Sequence, residues 1–268
     1  MYTLLATFRR NRKINSSYFP LLLFVNRITT RLCQVLSIYF VYKYLFGESV
    51  SERFVSLTQN NNYLVFSFTG IFIFGYTIII LLNIGRTLVT ELRQGTLYSL
   101  FMSSYSRIGY FFGVFLEQFS RSVLEMLLLI VVCICLEPQI LEIELHKLLV
   151  GFVFVTISSV AVALFAADIM LFTRDTYIIQ NTMVFIFSVL CGVAVPISYF
   201  PKCIQFIAHL IPITDALIAF RELVFGSEIS LNLILKMGYV LALSITYIII
   251  SLYKMRSIEY KIVENAYE

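Results

Sequence analysis

Inside an apolar run from Gly109 to Leu136 stand three charged residues at a spacing of four, Glu117, Arg121 and Glu125. On a helix this spacing places all three on one face, where opposite charges at i and i+4 attract. Two chemistries suit such a row. It neutralises itself and packs against a neighbouring span or the N-terminal segment, or it forms a polar strip along a path across the membrane. A further carboxylate, Asp168, lies in another apolar run about one and a half turns before Arg174 and Asp175. A snorkelling or paired acid is expected there. Glu117, Glu125 and Asp168 would also be the coupling carboxylates of an ion-driven secondary transporter, an alternative that internal inverted repeats would favour; no convincing repeat is present.

Other reactive groups are sparse. Five cysteines, Cys33, Cys133, Cys135, Cys191 and Cys203, lie in or beside apolar runs without CxxC spacing, so they read as small apolar residues. The two histidines, His146 and His209, join no cluster with metal-ligand spacing. No G-x-x-x-x-G-K-[ST] occurs, so this chain does not itself bind ATP through a P-loop. The absence of a His or Cys/His constellation argues against an enzyme, and no cofactor is expected on this chain.

The elements that must position these residues belong to a membrane. The 268 residues are 59% hydrophobic and 13% charged, with mean hydropathy +0.87, whereas a soluble domain carries about 25% charged residues. Residues 1–15 mix Leu4, Leu5 and Phe8 with Arg9, Arg10, Arg12 and Lys13 and read as a basic interfacial helix. From Pro20 to Phe46 a continuous helix would run about 40 Å, longer than a hydrocarbon core of about 30 Å. Keeping Arg27 and Arg31 out of that core avoids about 2.5–3.5 kcal/mol each. The sequence therefore predicts an elbow over 1–30 and a first span from about Arg31 to Phe46. Tyr39, Tyr42, Tyr44 and Phe46 form an interfacial belt at its outer end. Five further spans are predicted at 63–85, 109–136, 148–172, 178–199 and 233–253. The expected fold is an all-α, six-span integral membrane domain over 1–268, with a bundle at 31–253 and a cytoplasmic tail at 254–268.

Two stretches interrupt the pattern. Arg86 to Arg107 is a polar island in which Leu92, Leu97, Leu100 and Phe101 recur at helical spacing, with Gly95-Thr96 as a break and N-cap. It reads either as a solvated loop or as a docking helix for a cytoplasmic partner. The stretch from Phe200 to Gly226 is apolar, but Pro212 splits it into two pieces of about 15–18 Å, each too short to cross. A re-entrant helical hairpin entering from outside satisfies its backbone and keeps Asp215, Arg221 and Glu222 out of lipid. With six spans and the N-terminus inside, thirteen Lys and Arg lie on the inner side against four outside. That obeys the positive-inside rule, so both termini and the island are expected in the cytoplasm.

The island E-L-R-Q-G-T-L-Y-S-L-F-M-S-S-Y-S-R resembles the E-R-x-x-G-T-L-x-x-L-x-x-S-P-x-S-R pattern of ABC exporter permeases of the polysaccharide and drug-export class. C-G-V-A-V-P-I-S-Y-F-P and L-I-P-I-T-D-A-L-I-A-F-R-E-L-V-F-G resemble the second signature of that family, a Gly-rich fifth span ending in prolines. The resemblance covers almost the whole chain. It implies a permease in the cytoplasmic membrane that pairs with a second, identical or sister chain and docks two separate ATPase subunits, on which ATP and Mg would bind. Nucleic acid has no place in it. In that light the island resembles the coupling helix, with Glu91, Arg93, Gly95, Thr96, Leu97 and Leu100 at matching positions. Ser104 stands where the family has proline. Gly192, Pro196, Pro201, Pro212 and Arg221 correspond to an outward-facing gate. The cargo implied is an amphipathic, lipid-linked, polysaccharide, peptide or drug molecule, moved outward by alternating access.

Overall fold

The computed structural model describes residues 2–17, 20–45, 47, 54, 62–96, 107–173, 175–193, 195–226 and 230–264. Among them are nine α-helices and no strand. In chain order they are α1 (Tyr2–Ser17), α2 (Pro20–Phe40), α3 (Tyr63–Arg93), α4 (Arg107–Leu136), α5 (Leu145–Thr173), α6 (Thr176–Leu190), α7 (Lys202–His209), α8 (Pro212–Phe225) and α9 (Leu231–Glu264). Among the described residues, α3, α4, α5 and α9 are long and apolar enough to cross a bilayer. A fifth span is reached if α7 and α8, bent by 94° at a short break, count as one.

Local chemistry sets several of these ends. Asn62 caps α3, its Oδ1 accepting from the backbone N–H of Leu64 at 2.9 Å and of Val65 at 3.4 Å. Asp175 caps α6 in the same way, accepting from Tyr177 at 2.8 Å and Ile178 at 3.2 Å. Pro212 occupies the first turn of α8, where its missing N–H is harmless, and forces the bend after α7. At the inner end of α3 the chain turns through Gly95, whose φ of 73° suits glycine.

Four helices differ from the sequence reading in their bounds. The first helix after α1 runs unbroken from Pro20 and continues as a wide π-turn over Val41–Leu45, so no elbow break falls at Arg31. α1 ends at Ser17 and α2 begins at Pro20. Arg27 and Arg31 stay on the helix because other elements receive them: Arg27 donates to Glu125, and the guanidinium of Arg31 lies against Gly75. The expected fifth span, 178–199, is a helix only to Leu190. Gly192 then takes a φ of 66° and a 3₁₀ turn follows over Ile197–Tyr199, so the chain leaves the helix after about 22 Å. Lastly, α3 and α9 overrun their predicted ends. Arg86 to Arg93 of the island are the last two turns of α3, and α9 carries residues 254–264 of the expected tail.

α5 is the hub against which α3, α8 and α9 pack. Its buried face is made of small residues, Ser158, Ser159, Ala161, Ala163, Ala166 and Ala167, each fully enclosed. Small residues let membrane helices approach closely, and hydroxyls bridge them. Thr77 and Ser159 share a 2.9 Å hydrogen bond, Tyr76 and Thr156 another of 2.9 Å, and Ser244 donates to Ser158 at 3.3 Å. The opposite faces of α4 and α9 present Leu124, Leu127, Val131, Ile234, Ile245 and Ile249 outward, the surface a lipid-facing helix needs.

α1 is held against α4 at Gly113, where a Cβ would meet the Thr7 Cβ at 2.8 Å and the Leu4 carbonyl oxygen at 2.9 Å. A backbone oxygen cannot step aside as a flexible side chain does. Gly113→Val should therefore separate α1 from α4 while leaving the α3–α5–α9 core intact. The expected result is a faster reaction of a Thr7→Cys thiol in the Gly113→Val background with little change in expression; equal labelling in both backgrounds would contradict this packing.

Candidate functional site

Three polar constellations stand out, one at the C-terminal end of α3, one within the bundle and one at the hairpin. At the end of α3 Glu91 is only 6% exposed. Its carboxylate receives the Arg10 guanidinium of α1, the Thr96 hydroxyl at 2.7 Å and the Tyr110 hydroxyl of α4 at 3.4 Å. One acid thus ties together α1, the end of α3, the start of the following loop and α4. Arg10 also lies over the Tyr110 ring, 6.0 Å from its centroid. Arg93, Gly95 and Thr96 are exposed around this knot. Glu91 therefore faces inward rather than toward a partner, because three donors from separate elements claim its oxygens. Leu97 and Leu100 lie outside the described residues.

Within the bundle the row on α4 divides between two partners. Arg121 Nε reaches Glu117 Oε1 at 2.6 Å, as the i,i+4 spacing predicts. Glu125 instead accepts from Arg27 of α2 at 3.3 Å, so the row joins two helices rather than closing on itself. Glu117 is 1% exposed and also accepts from the Gln118 amide at 2.6 Å. Asp168 is buried on α5 with Ser251 and Lys254 of α9 as its facing neighbours. Its expected neighbour Arg174 lies outside the described residues, and Asp175 is engaged as the α6 cap.

At the hairpin, Arg221 is buried on α8 and finds carbonyls in place of an acid. NH1 donates to Gly192 O at 2.7 Å, and NH2 donates to Val193 O at 2.6 Å and Phe66 O at 3.1 Å. Its guanidinium carbon lies 3.6 Å from the Phe66 ring centroid, a cation–π contact. Arg221 thereby closes the carbonyls left open where α6 ends early, and it binds that turn to the outer end of α3. Gly70 makes room, since a Cβ there would sit 2.2 Å from the Val193 oxygen and 2.3 Å from the Arg221 NH2. Gly192 and Arg221 of the expected gate are thus in contact. Pro196 precedes the 3₁₀ turn, while Pro201 and Pro212 start α7 and α8.

Arg221 lines a cavity of about 640 Å³ between the hairpin, the turn after α6 and the start of α9. His209 Nδ1 and Asp215 Oδ1, 2.6 Å apart across the Pro212 bend, border it, with Gln205 and Tyr239. The Tyr239 hydroxyl donates to His209 O at 3.3 Å and the Tyr247 hydroxyl to Leu210 O at 3.2 Å, satisfying carbonyls at the end of α7 that the break before α8 frees. Lys236 pairs with Glu222 at the rim. Sequence reasoning missed Arg10, Arg27, Gly70 and the His209–Asp215 pair. Only the basic run around Arg10 signalled a role.

A bundle of apolar helices long enough to cross a bilayer, with charges buried between them, is the architecture of an integral membrane protein. A family model described as ABC-2 type transporter matches residues 10–225, about four-fifths of the chain. The chain belongs to this family, and it is a transmembrane permease of the ABC transporter class. Among curated proteins none matches the chain.

Replacing Arg221 by Met should strand the buried carbonyls of Gly192 and Val193, a loss of about 3 kcal/mol if each forfeits a charged hydrogen bond of about 1.5 kcal/mol. Gly70→Ala should act on the same contact by displacing the guanidinium and the Val193 oxygen. Thermal melting of detergent-solubilised protein should fall in both variants, and the double variant should melt no lower than the worse single one. Additive losses would show that the two positions do not share one contact.

Proposed function

We propose that this chain is the permease subunit of an ATP-driven exporter that moves an amphipathic cargo outward by alternating access. Two ATPase subunits would dock on its cytoplasmic face, and a second permease chain, identical or sister, would complete the path. Both termini and the loop after α3 would face the cytoplasm of a cell membrane, with the α7–α8 hairpin entering from outside. ATP and Mg would bind the ATPase subunits, leaving this chain without a cofactor and without nucleic acid as a partner. The observation that carries the reading is the knot at Glu91. A push on the loop that begins at Gly95 reaches α1, α3 and α4 together, because one buried acid holds all three.

The mechanism assigns parts to this chain's own residues. Arg93, Gly95 and Thr96, exposed at the end of α3, would meet the ATPase, with Leu97 and Leu100 supplying the apolar face of the coupling helix. Closure of the ATPases would shift α3, and the Arg221 contact would carry the shift to the turn at Gly192 and the hairpin. The ion-coupled alternative has less support, since Glu117 and Glu125 are each engaged by an arginine. Such acids exchange protons poorly while paired.

The test uses the permease reconstituted with its ATPase. Arg93→Glu should leave folding and membrane insertion unchanged, and Gly95→Pro, which cannot hold a φ of 73°, should disturb only the turn after α3; both should remove most of the cargo-linked ATPase stimulation. Full stimulation and transport in both variants would sink the coupling role. Orientation is tested separately on a background lacking the native cysteines. Thiols placed at Ser198 and Ser230 should both react with an impermeant reagent in intact cells, and one at Ser257 only after permeabilisation. Labelling of Ser198 and Ser230 from opposite sides would mean that the hairpin crosses the membrane.

A further inference from the structure

The charges inside the bundle do not cancel. Arg27 and Arg31 on α2 and Arg121 on α4 gather around Glu117 and Glu125. The guanidinium groups of Arg27, Arg31 and Arg121 all act on Glu125, and Arg27 acts on both Arg31 and Arg86. Three arginines and two glutamates leave an excess of one positive charge. The two carboxylates are engaged by Arg27 and Arg121. Arg86 donates to the neutral Gln180 amide oxygen at 3.0 Å. Arg31 donates to Gln34 Oε1 of its own helix at 3.2 Å and forms no ion pair among the described residues.

This excess lies deep. The Arg31 guanidinium rests against Gly75, where a Cβ would be 2.9 Å from its central carbon. Gly75 is twelve residues from the outer end of α3 and eighteen from the inner end, about 18 and 27 Å of helix. With a hydrocarbon core of about 30 Å, that level is well inside the bilayer. A cation there without a counter-charge is strongly disfavoured. Among the described residues of the bundle and hairpin, Glu91 holds Arg10, Asp215 pairs with His209 and Glu222 with Lys236, while Asp168 lies on α5 toward Lys254.

We infer that the Arg27–Arg31–Arg121 face between α2, α3 and α4 is a binding site for the anionic phosphate headgroup of an amphiphile. Guanidinium forks match phosphate oxygens in geometry and charge, and a hydrocarbon tail carries such a group to this depth. The face is open enough to be reached, as the Arg27 and Arg121 side chains each keep 30% of their surface exposed. Sitting on the membrane-embedded permease, the site deepens the export reading by giving the cargo, or a lipid that regulates its passage, a negative headgroup. It rests on that reading only for its place in transport, and binding itself needs neither ATP nor an ATPase.

The experiment is native mass spectrometry of the purified full-length chain with phosphatidic acid and phosphatidylcholine of identical acyl chains. Wild-type protein should retain phosphatidic acid about tenfold better. Arg31→Gln should abolish that preference, Arg31→Lys should keep most of it, and Lys202→Gln on the distant hairpin should leave it unchanged. Glu125→Gln, which raises the positive excess, should strengthen retention, the opposite of what a merely structural ion pair would give. Equal retention of both lipids by wild type, or an undiminished preference in Arg31→Gln, overturns the site. Displacement of phosphatidic acid by excess inorganic phosphate would assign the arginines to a free anion and overturn the amphiphile. Because the assay contains no ATPase, lost lipid binding is told apart from failure of the export reading, which the Arg93 and Gly95 variants test.

Discussion

A guanidinium or carboxylate drawn into hydrocarbon must find partners from its own bundle, because no water is there to serve it. That requirement fixes how the helices of this chain meet. Arg27 reaches Glu125 across α2 and α4, Arg10 reaches Glu91 across α1 and α3, and Arg221 reaches the carbonyls of Phe66, Gly192 and Val193 from α8. Each joins elements far apart in the chain. Apolar contact alone selects between neighbours weakly in a membrane, since lipid tails are as apolar as leucine. A buried charge with one set of partners chooses a single register and orientation.

Close packing makes those contacts reachable. Gly70 lets the Arg221 guanidinium pass beside α3, Gly75 does the same for Arg31, and Gly113 brings α1 onto α4. The small residues of α5 draw α3, α8 and α9 to within hydroxyl reach of one another. Polar partnership and small side chains are therefore two halves of one arrangement. The charges give direction, and the glycines remove the bulk that would keep the charges apart.

How much of this was legible in the sequence follows from how local each cause is. The long apolar runs of α3, α4, α5 and α9 are legible because hydrocarbon demands about twenty apolar residues in a row. The bend at Pro212 is legible because a missing N–H is written in one residue. The Glu117–Arg121 pair follows from i,i+4 spacing. The Glu125–Arg27 pair spans 98 residues of sequence, and nothing in either run announces the other. The carbonyl partners of Arg221 are still harder to read, since every residue carries a carbonyl. The early end of α6 escaped for a related reason. Residues 191–199 are apolar whether they complete a span or fold back, and only the turn at Gly192 and the guanidinium that receives its carbonyls decide between the two. The continuity of α2 through Arg31 was misread because the cost of a lone arginine was counted without the carboxylate and the glycine that receive its neighbourhood.

The length of α3 gives these separate contacts a common frame. Its 31 residues form one helix of about 46 Å. Near its outer end the Phe66 carbonyl accepts from Arg221, and near its inner end Glu91 holds Arg10 and Thr96. Along its middle Thr77 binds Ser159 and Gly75 receives Arg31. A helix bonded at both ends and packed along its length moves as a body, because bending it would break backbone hydrogen bonds that no lipid can replace. The elements bonded to its outer end are of another kind. α6 stops after fifteen residues, α7 has eight and α8 fourteen, and 94° separates the last two. Short helices joined by turns can reorient through a few backbone angles, as hinges do. In the exporter proposed for this chain, a rigid α3 would thus convert a displacement at its inner end into rearrangement of the outer hairpin, with Arg221 as the joint between them.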